Sequence, residues 1–271
     1  MAESTADATG TGPGWVSLTT DYGLSDGFVA ACHGVVARLA PSVRMIDVTH
    51  LVPPGDVRRG ATVLAQTVGY LPPAVHVAVV DPGVGTARRG VALVTPGGML
   101  VGPDNGLLLW AADALGGVTT AVELTNRSWF GDAVSHTFHG RDVFAPVAAR
   151  LAVGAPLTGA GPRIDPAGLV RLPEPVVTTG PGWLEAEVLT VDRFGNVQLA
   201  APGDALAGLA DRLTVAGVPA VRGATFGDVP AGELVVHVDS ADRVAVAVNN
   251  GRAAVVLSVT PGALVRVAAA G

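Results

Sequence analysis

An aspartate, an arginine and a histidine, each placed just beyond an apolar run or before a helix, are the side chains here best suited to handling water. Asp81 opens the loop Asp81-Pro82-Gly83-Val84-Gly85-Thr86-Ala87-Arg88-Arg89, directly after the apolar run that ends at Val80. The proline and glycines allow a tight turn and a close approach of backbone to a ligand. Arg88 can fold back onto Asp81, either as a clip that staples the loop or as the charged element of a site. His139, in Phe138-His139-Gly140-Arg141-Asp142, is either structural or a group that titrates near neutrality. One carboxylate, one fixed cation and one imidazole together can orient and polarise a water molecule. Asp21, after the run 15–19, is a turn or cap residue or a carboxylate that accepts two neighbouring hydroxyls, as on a ribose.

Two further polar clusters lie in the C-terminal third. Asp192-Arg193-Phe194-Gly195-Asn196 suits a tight hairpin turn, and equally offers Phe194 for stacking on a planar base and Asn196 for its polar edge. Asn249-Asn250-Gly251 reads first as a hairpin turn and second as a ligand contact, through Asn249.

The composition removes several chemistries. The net charge is -6 and all 17 basic residues are arginine. Without lysine there is neither a Schiff base on a lysine amine nor a G-x-x-x-x-G-K-[ST] phosphate loop. No basic stripe is present for nucleic acid. The single cysteine, Cys32, sits in an apolar helical run and reads as core; one thiol makes no internal disulfide and no cysteine-rich metal site. That usage predicts a reduced, cytoplasmic setting. No apolar run reaches the roughly 20 residues of a membrane span.

These residues need a scaffold, and the hydrophobic periodicity predicts one. Strands are expected at 15–19, 44–48, 75–80, 91–95, 99–101 and 118–124. The run 75–80 is nearly all apolar, as for a strand covered on both faces, and Pro96-Gly97-Gly98 marks a hairpin. Helices are expected up to Ala40 from a cap at Ser25 or Asp26, from an Asp56 cap to about Val68, and over 106–115 and 141–153. This alternation predicts an α/β/α sandwich with a mostly parallel sheet, where ligands bind beyond the carboxyl ends of strands. Short strand-like runs at 184–191, 196–199, 212–215, 234–238, 244–248, 254–259 and 265–268 predict a small all-β, barrel-like domain. The expected organisation is a flexible tail over 1–14, an α/β domain over 15–158, a linker over 159–181 and a β-barrel-like domain over 182–271.

Six motifs in order carry a specific resemblance. They are Leu18-Thr19-Thr20-Asp21-Tyr22-Gly23, Ile46-Asp47-Val48-Thr49-His50, Asp81-Pro82-Gly83-Val84-Gly85-Thr86, Gly102-Pro103-Asp104-Asn105-Gly106, Thr137-Phe138-His139-Gly140-Arg141-Asp142 and Asp192-Arg193-Phe194-Gly195-Asn196. From about residue 15 to the C-terminus the chain resembles the S-adenosylmethionine hydrolases (the hydroxide adenosyltransferases), relatives of the fluorinating and chlorinating adenosyl enzymes. The resemblance implies hydrolysis of S-adenosyl-L-methionine to adenosine and L-methionine by attack of water on the ribose C5′, with no metal and no cofactor. It implies that Asp21 holds the ribose hydroxyls and that Asp81, Arg88 and His139 handle the water. Asp192 would meet the methionine amine, and Phe194 and Asn196 the adenine. Ser240 matches a serine near the methionine end in the halogenating relatives, whereas the arginine that follows there is Ala241 here. A homotrimer is also implied, each site lying between one subunit's α/β domain and a neighbour's β-domain. The fluorinating enzyme aligns tyrosine and threonine with Asp81 and Val84, and serine with Gly140. A carboxylate repels halide and a glycine offers it no hydroxyl, so water is favoured as nucleophile. Halide-dependent transfer, non-catalytic binding of adenosine or S-adenosylmethionine, and a purely structural protein are the rivals.

Overall fold

The computed structural model describes residues 12–270; of the tail expected over 1–14, residues 1–11 lie outside the described residues. The chain divides into two compact units between Leu172 and Pro173. The first contains β1 (Trp15–Thr20), α1 (Phe28–Leu39), β2 (Arg44–Thr49), α2 (Val57–Val68), β3 (Val75–Val79), β4 (Gly90–Thr95), β5 (Gly98–Pro103), α3 (Leu109–Ala114), β6 (Thr120–Glu123), α4 (Ala145–Ala152) and β7 (Arg163–Ile164). A π-helical turn, Gly140–Phe144, leads into α4.

Its seven-stranded sheet has the order β2-β1-β3-β5-β4-β6-β7. Strands β2, β1, β3 and β5 are mutually parallel; β4 runs against both β5 and β6, and β7 against β6. The β4–β5 hairpin turns at Pro96-Gly97, as its sequence requires. Side chains alternate across the sheet with period two. Val16, Leu18, Val75, Val77, Val79, Ala92, Val101 and Val122 pack on one face with α1 and α4. Ala78, Val80, Val91, Leu93, Leu100 and Ala121 pack on the other with α2 and α3. The result is the expected α/β/α layering, and β3 is buried along its whole length.

Helix ends follow their residues unevenly. Asp56 caps α2 by accepting from the Arg59 amide at 2.9 Å. The cap expected for α1 is not Ser25 or Asp26: the N-cap is Gly27, which has no side chain to accept a bond. Cys32 is core, 1% exposed, and burial pushes its thiol up to about 12. Among the described residues no helix is long and apolar enough to cross a membrane.

The second unit contains β8 (Val177–Gly180), β9 (Trp183–Val191), β10 (Val197–Pro202), β11 (Arg212–Val215), β12 (Val218–Arg222), β13 (Leu234–Val238), β14 (Arg243–Val248), α5 (Ala253–Leu257) and β15 (Leu264–Ala269). The pairings run β10-β14-β13-β12-β11-β15-β9 and return from β9 to β10, closing a barrel of seven strands with β8 added along β9. Its interior is filled by Leu184, Val188, Val197, Leu199, Leu213, Val236, Val246 and Val267. Two expectations change here. The run 254–259 is not a strand but begins in the short helix α5, with Ala253 and Leu257 buried one turn apart. Asn249-Asn250-Gly251 is not a hairpin turn, since it leads from β14 into α5.

Candidate active site

The site grows out of the carboxyl ends of β1 and β3. Asp21 follows β1 and Asp81 follows β3 after Val80, so the parallel pairing of the two strands brings both carboxylates to the carboxyl-end side of the sheet. The chain 81–86 turns back through a left-handed Gly85 (φ +77°), whose missing side chain is required by the His136 carbonyl 2.4 Å from where a Cβ would stand. Arg88 then folds onto Asp81: its Nε donates to Oδ1 at 3.0 Å and to Oδ2 at 2.9 Å, and its Nη2 also donates to Oδ2. The same Nη2 lies 2.8 Å from His139 Nδ1. Beneath, the guanidinium lies over the Phe144 ring at 5.2 Å. The side chains of Asp81 and Arg88 are 4% and 13% exposed, so this bidentate pair is a well-shielded one.

Arg88 can only donate, so His139 Nδ1 accepts and the proton of the neutral ring resides on Nε2. Burial first, and then the Arg88 guanidinium, hold His139 below its ordinary value. A neutral His139 therefore offers an N–H, not a lone pair, on its free side. The sequence reading puts Arg88 on the water itself, holding and polarising it, with Asp81 and His139 orienting it or taking its proton. The geometry instead puts Asp81 and His139 on the wall of a cavity of about 260 Å³, with Arg88 behind them, bonded to both and not among the lining residues.

Asp21 and Gly55 line the same cavity, and Asp21 Oδ2 accepts from the Gly55 amide at 2.8 Å. Its other oxygen can take a hydroxyl. Val84 and Gly140 are also on the wall. A side chain at position 140 would meet an obstacle that the sequence does not reveal: a Cβ there would stand 2.0 Å from Tyr22 Oη. Tyr22 is held edge-on by Phe138 (centroids 5.5 Å apart), and Phe28 packs against both rings. Burial drives its phenol well above the ordinary range, so the hydroxyl stays protonated. Tyr22 is a wall residue to which sequence reasoning gave no role; its signal was its place beside Asp21 in the first motif. Of the two adjacent arginines, Arg89 turns away to Asp104 (Nε to Oδ2, 3.0 Å) and to the Gly168 carbonyl, a structural clamp.

The other candidates lie on the second unit. Asp192 organises its turn: Oδ1 accepts from the Phe194 and Asn196 amides, and Oδ2 from Asn196 Nδ2 at 2.8 Å. Phe194 is left 68% exposed. Asn249, just past the end of β14, donates to the Val229 carbonyl. Ser240 is exposed in the turn between β13 and β14, at the opposite end of β14 from Asn249. The next residue, Ala241, donates its amide to Asp239 Oδ1.

Comparison with known proteins agrees with this architecture. Residues 16–161 match the SAM hydroxide adenosyltransferase N-terminal domain and residues 186–266 the corresponding C-terminal domain. A (R)-S-adenosyl-L-methionine hydrolase of Salinispora arenicola is 70% identical over 255 residues, 94% of this chain and 98% of that protein. A crystal structure of a conserved protein from Thermotoga maritima superposes with a TM-score of 0.86 at 38% identity, covering 93% of this chain and 99% of that one. A fluorinase of Actinoplanes is more distant, 29% identical over 208 residues, 67% of this chain and 70% of its own. With both domain matches in order along one chain, the protein belongs to the SAM hydroxide adenosyltransferase family.

Proposed function

We propose that this protein hydrolyses S-adenosyl-L-methionine to adenosine and L-methionine by in-line attack of water on the ribose C5′. The observation that carries the reading is the Asp81–Arg88–His139 arrangement, which presents an acceptor and a donor side by side to one cavity. A water that donates to Asp81 and accepts from His139 Nε2–H keeps one lone pair for C5′. As the C–O bond forms, the C5′–S electrons pass to sulfur, which departs as the neutral thioether of methionine. The proton shed by the attacking oxygen goes to Asp81. The sulfonium is already a good leaving group, so the reaction needs neither an acid at sulfur nor a cofactor. Placement supplies the acceleration, and well-aligned systems gain on the order of 7–11 kcal/mol from it.

Asp21 takes the ribose hydroxyls in this reading. Phe194 and Asn196 are assigned to the adenine, Asp192 and Ser240 to the methionine moiety, and Asn249 to a further substrate contact. For Phe194 the support is its exposed ring, and for Asn196 a side-chain oxygen left over after its amide nitrogen bonds Asp192. A homotrimer belongs to the same proposal; the mass of the native assembly tests it. Water is preferred to halide on two grounds. Asp81 puts a carboxylate on the cavity wall, and Gly140 leaves its wall position to the Tyr22 ring.

Incubation of purified protein with S-adenosyl-L-methionine, with adenosine followed by chromatography, tests the proposal. Adenosine must form well above the enzyme-free control, in the absence of halide. A 5′-halo-adenosine that appears only with added chloride or fluoride would assign the protein to the halogenating chemistry, and saturable binding without turnover would make it a binding protein.

A further inference from the structure

His33, Asp47 and His50 meet at the edge of the first unit's sheet, and no step of the proposed hydrolysis uses them. Asp47 belongs to the edge strand β2, His50 follows that strand, and His33 comes from α1. His33 Nε2 lies 2.7 Å and His50 Nε2 3.1 Å from the same oxygen, Asp47 Oδ1. All three donor atoms fall within 4.8 Å of one another. His33 and Asp47 keep 33% and 43% of their side-chain exposure, so the cluster opens to water on one side.

An ordinary surface ion pair accounts for His33 and Asp47 but not for His50. That residue is 4% exposed, and among the described residues its Nε2 has no aligned hydrogen-bond partner although it faces the carboxylate. A buried ring nitrogen in that state has lost its hydration for little return. Its other nitrogen, Nδ1, lies 2.9 Å from Thr20 Oγ1. If Nδ1 carries the proton and donates to that hydroxyl oxygen, the Nε2 lone pair is directed at the cluster, the outer-shell arrangement that orients metal-bound histidines.

Metal bonds to imidazole nitrogen and carboxylate oxygen are about 2.0–2.2 Å long, which spaces tetrahedral donors by roughly 3.3 Å. Against that spacing the observed gaps of 2.7 and 3.1 Å must widen by about 0.6 and 0.2 Å, and the third, between the two ring nitrogens, is no more than 4.8 Å. Two imidazoles and one carboxylate suit a first-row transition ion or zinc, whereas calcium and magnesium select all-oxygen sites. We propose that His33, Asp47 and His50 bind a divalent transition-metal ion, with water completing its coordination. None of the three residues lines the cavity, and the ion takes no part in bond cleavage. Its role is to brace the substrate loop: Gly23 N donates to the His50 carbonyl at 2.8 Å, and Tyr22 N to Thr20 Oγ1 at 3.2 Å. Asp21 sits between those two anchors.

Chelator-treated full-length protein, titrated with zinc in a calorimeter and with cobalt followed by visible absorption, tests the site. One equivalent per chain is expected, with cobalt bands of a nitrogen/oxygen site and a higher unfolding temperature at saturating zinc. His33→Ala should weaken binding by about 10- to 100-fold or more, and Asp47→Asn, at a partly exposed position, should do the same if the first variant folds poorly. His136→Ala, at an exposed histidine outside the cluster, should leave it unchanged. Absence of saturable binding up to about 1 mM metal, a value typical of weak association, overturns the proposal. So does affinity in both His33→Ala and Asp47→Asn that stays within about twofold of the parent, well short of the loss expected for a ligand.

Discussion

Arg88 offers the sharpest perturbation, because one side chain holds two cavity residues at once. Arg88→Ala deletes the bonds from Nε to both Asp81 oxygens, the Nη2 bond to Asp81, and the 2.8 Å contact with His139 Nδ1. It leaves a carboxylate with 4% exposure and no cation. Removing one partner of a buried ion pair costs about 3–5 kcal/mol, an upper range here because the cavity can admit water to Asp81. The catalytic effect comes from lost placement. A misplacement on the order of 1 Å costs about 10²-fold, and loss of acid–base positioning about 10²–10⁴-fold. The expected result is a kcat lower by about 10²-fold or more, with KM within a few-fold, since Asp21 and its Gly55 bond are untouched. Steady-state adenosine release gives kcat and KM, and calorimetry with adenosine reports binding separately. Arg88→Lys should recover little, because a single ammonium cannot reproduce the guanidinium fork that bridges carboxylate and imidazole. A kcat within tenfold of the parent, or a loss carried by KM alone, would refute the assignment of Arg88 as the organiser of the pair.

In the proposed mechanism His139 gives activity a pH dependence of defined sign. Its value in the folded protein is depressed, by burial and then by Arg88, so the neutral form is native. The contribution of this group to stability is full above about pH 6.5, the unfolded value. It falls away as pH drops from there through the folded value, because the unfolded chain binds the proton first. The log kcat/KM profile should show an acid limb below that pH which His139→Gln removes; an identical limb in the variant would transfer the titration to another group. At Gly140, the Cβ introduced by Gly140→Ala would crowd Tyr22 Oη at 2.0 Å and its Cζ at 3.0 Å. Overpacking of that kind costs about 1–3 kcal/mol. Stability and turnover should both fall, and the double variant Gly140→Ala/Tyr22→Phe, lacking the hydroxyl, should recover part of each. Equal behaviour of single and double variants in thermal unfolding would show that the clash does not govern the position.

Much of the scaffold is legible because hydrophobic period and punctuation agree. The buried run to Val80, the Pro96-Gly97-Gly98 hairpin and the Asp56 cap each follow from local chemistry that tertiary packing does not oppose. The departures have local causes too. Ala253–Leu257 looks like a strand because it is short and β-branched, and only the burial of residues four apart reveals a helix. Strand β12 is hidden by Pro219, a residue that ordinarily argues against a strand; the turn before it is marked by Ala216 and Gly217, both at positive φ. The π-helical turn at Gly140–Phe144 has no sequence signature, yet it sets where His139 and Phe144 stand about Arg88.

For the site, spacing suggested that Arg88 could return to Asp81, and it does. That His139, 51 residues further on, completes the arrangement was legible from its residue type and its place before a helix, and from the family motifs, but not from spacing. The order of the three, with the arginine behind the other two, depends on the layering of loop, π-turn and Phe144, which no linear pattern encodes. The His33–Asp47–His50 cluster was likewise invisible, because α1 supplies one member and the edge strand and its exit supply the others.

The claim on which everything rests is that a cavity water held by Asp81 and His139 attacks the ribose carbon. Turnover of S-adenosyl-L-methionine in ¹⁸O-labelled water, with mass analysis of both products, measures that event directly. One ¹⁸O in the 5′-hydroxyl of adenosine, and none in methionine, is the expected outcome. Label recovered in the amino-acid product, or adenosine whose 5′ oxygen is unlabelled, would contradict it.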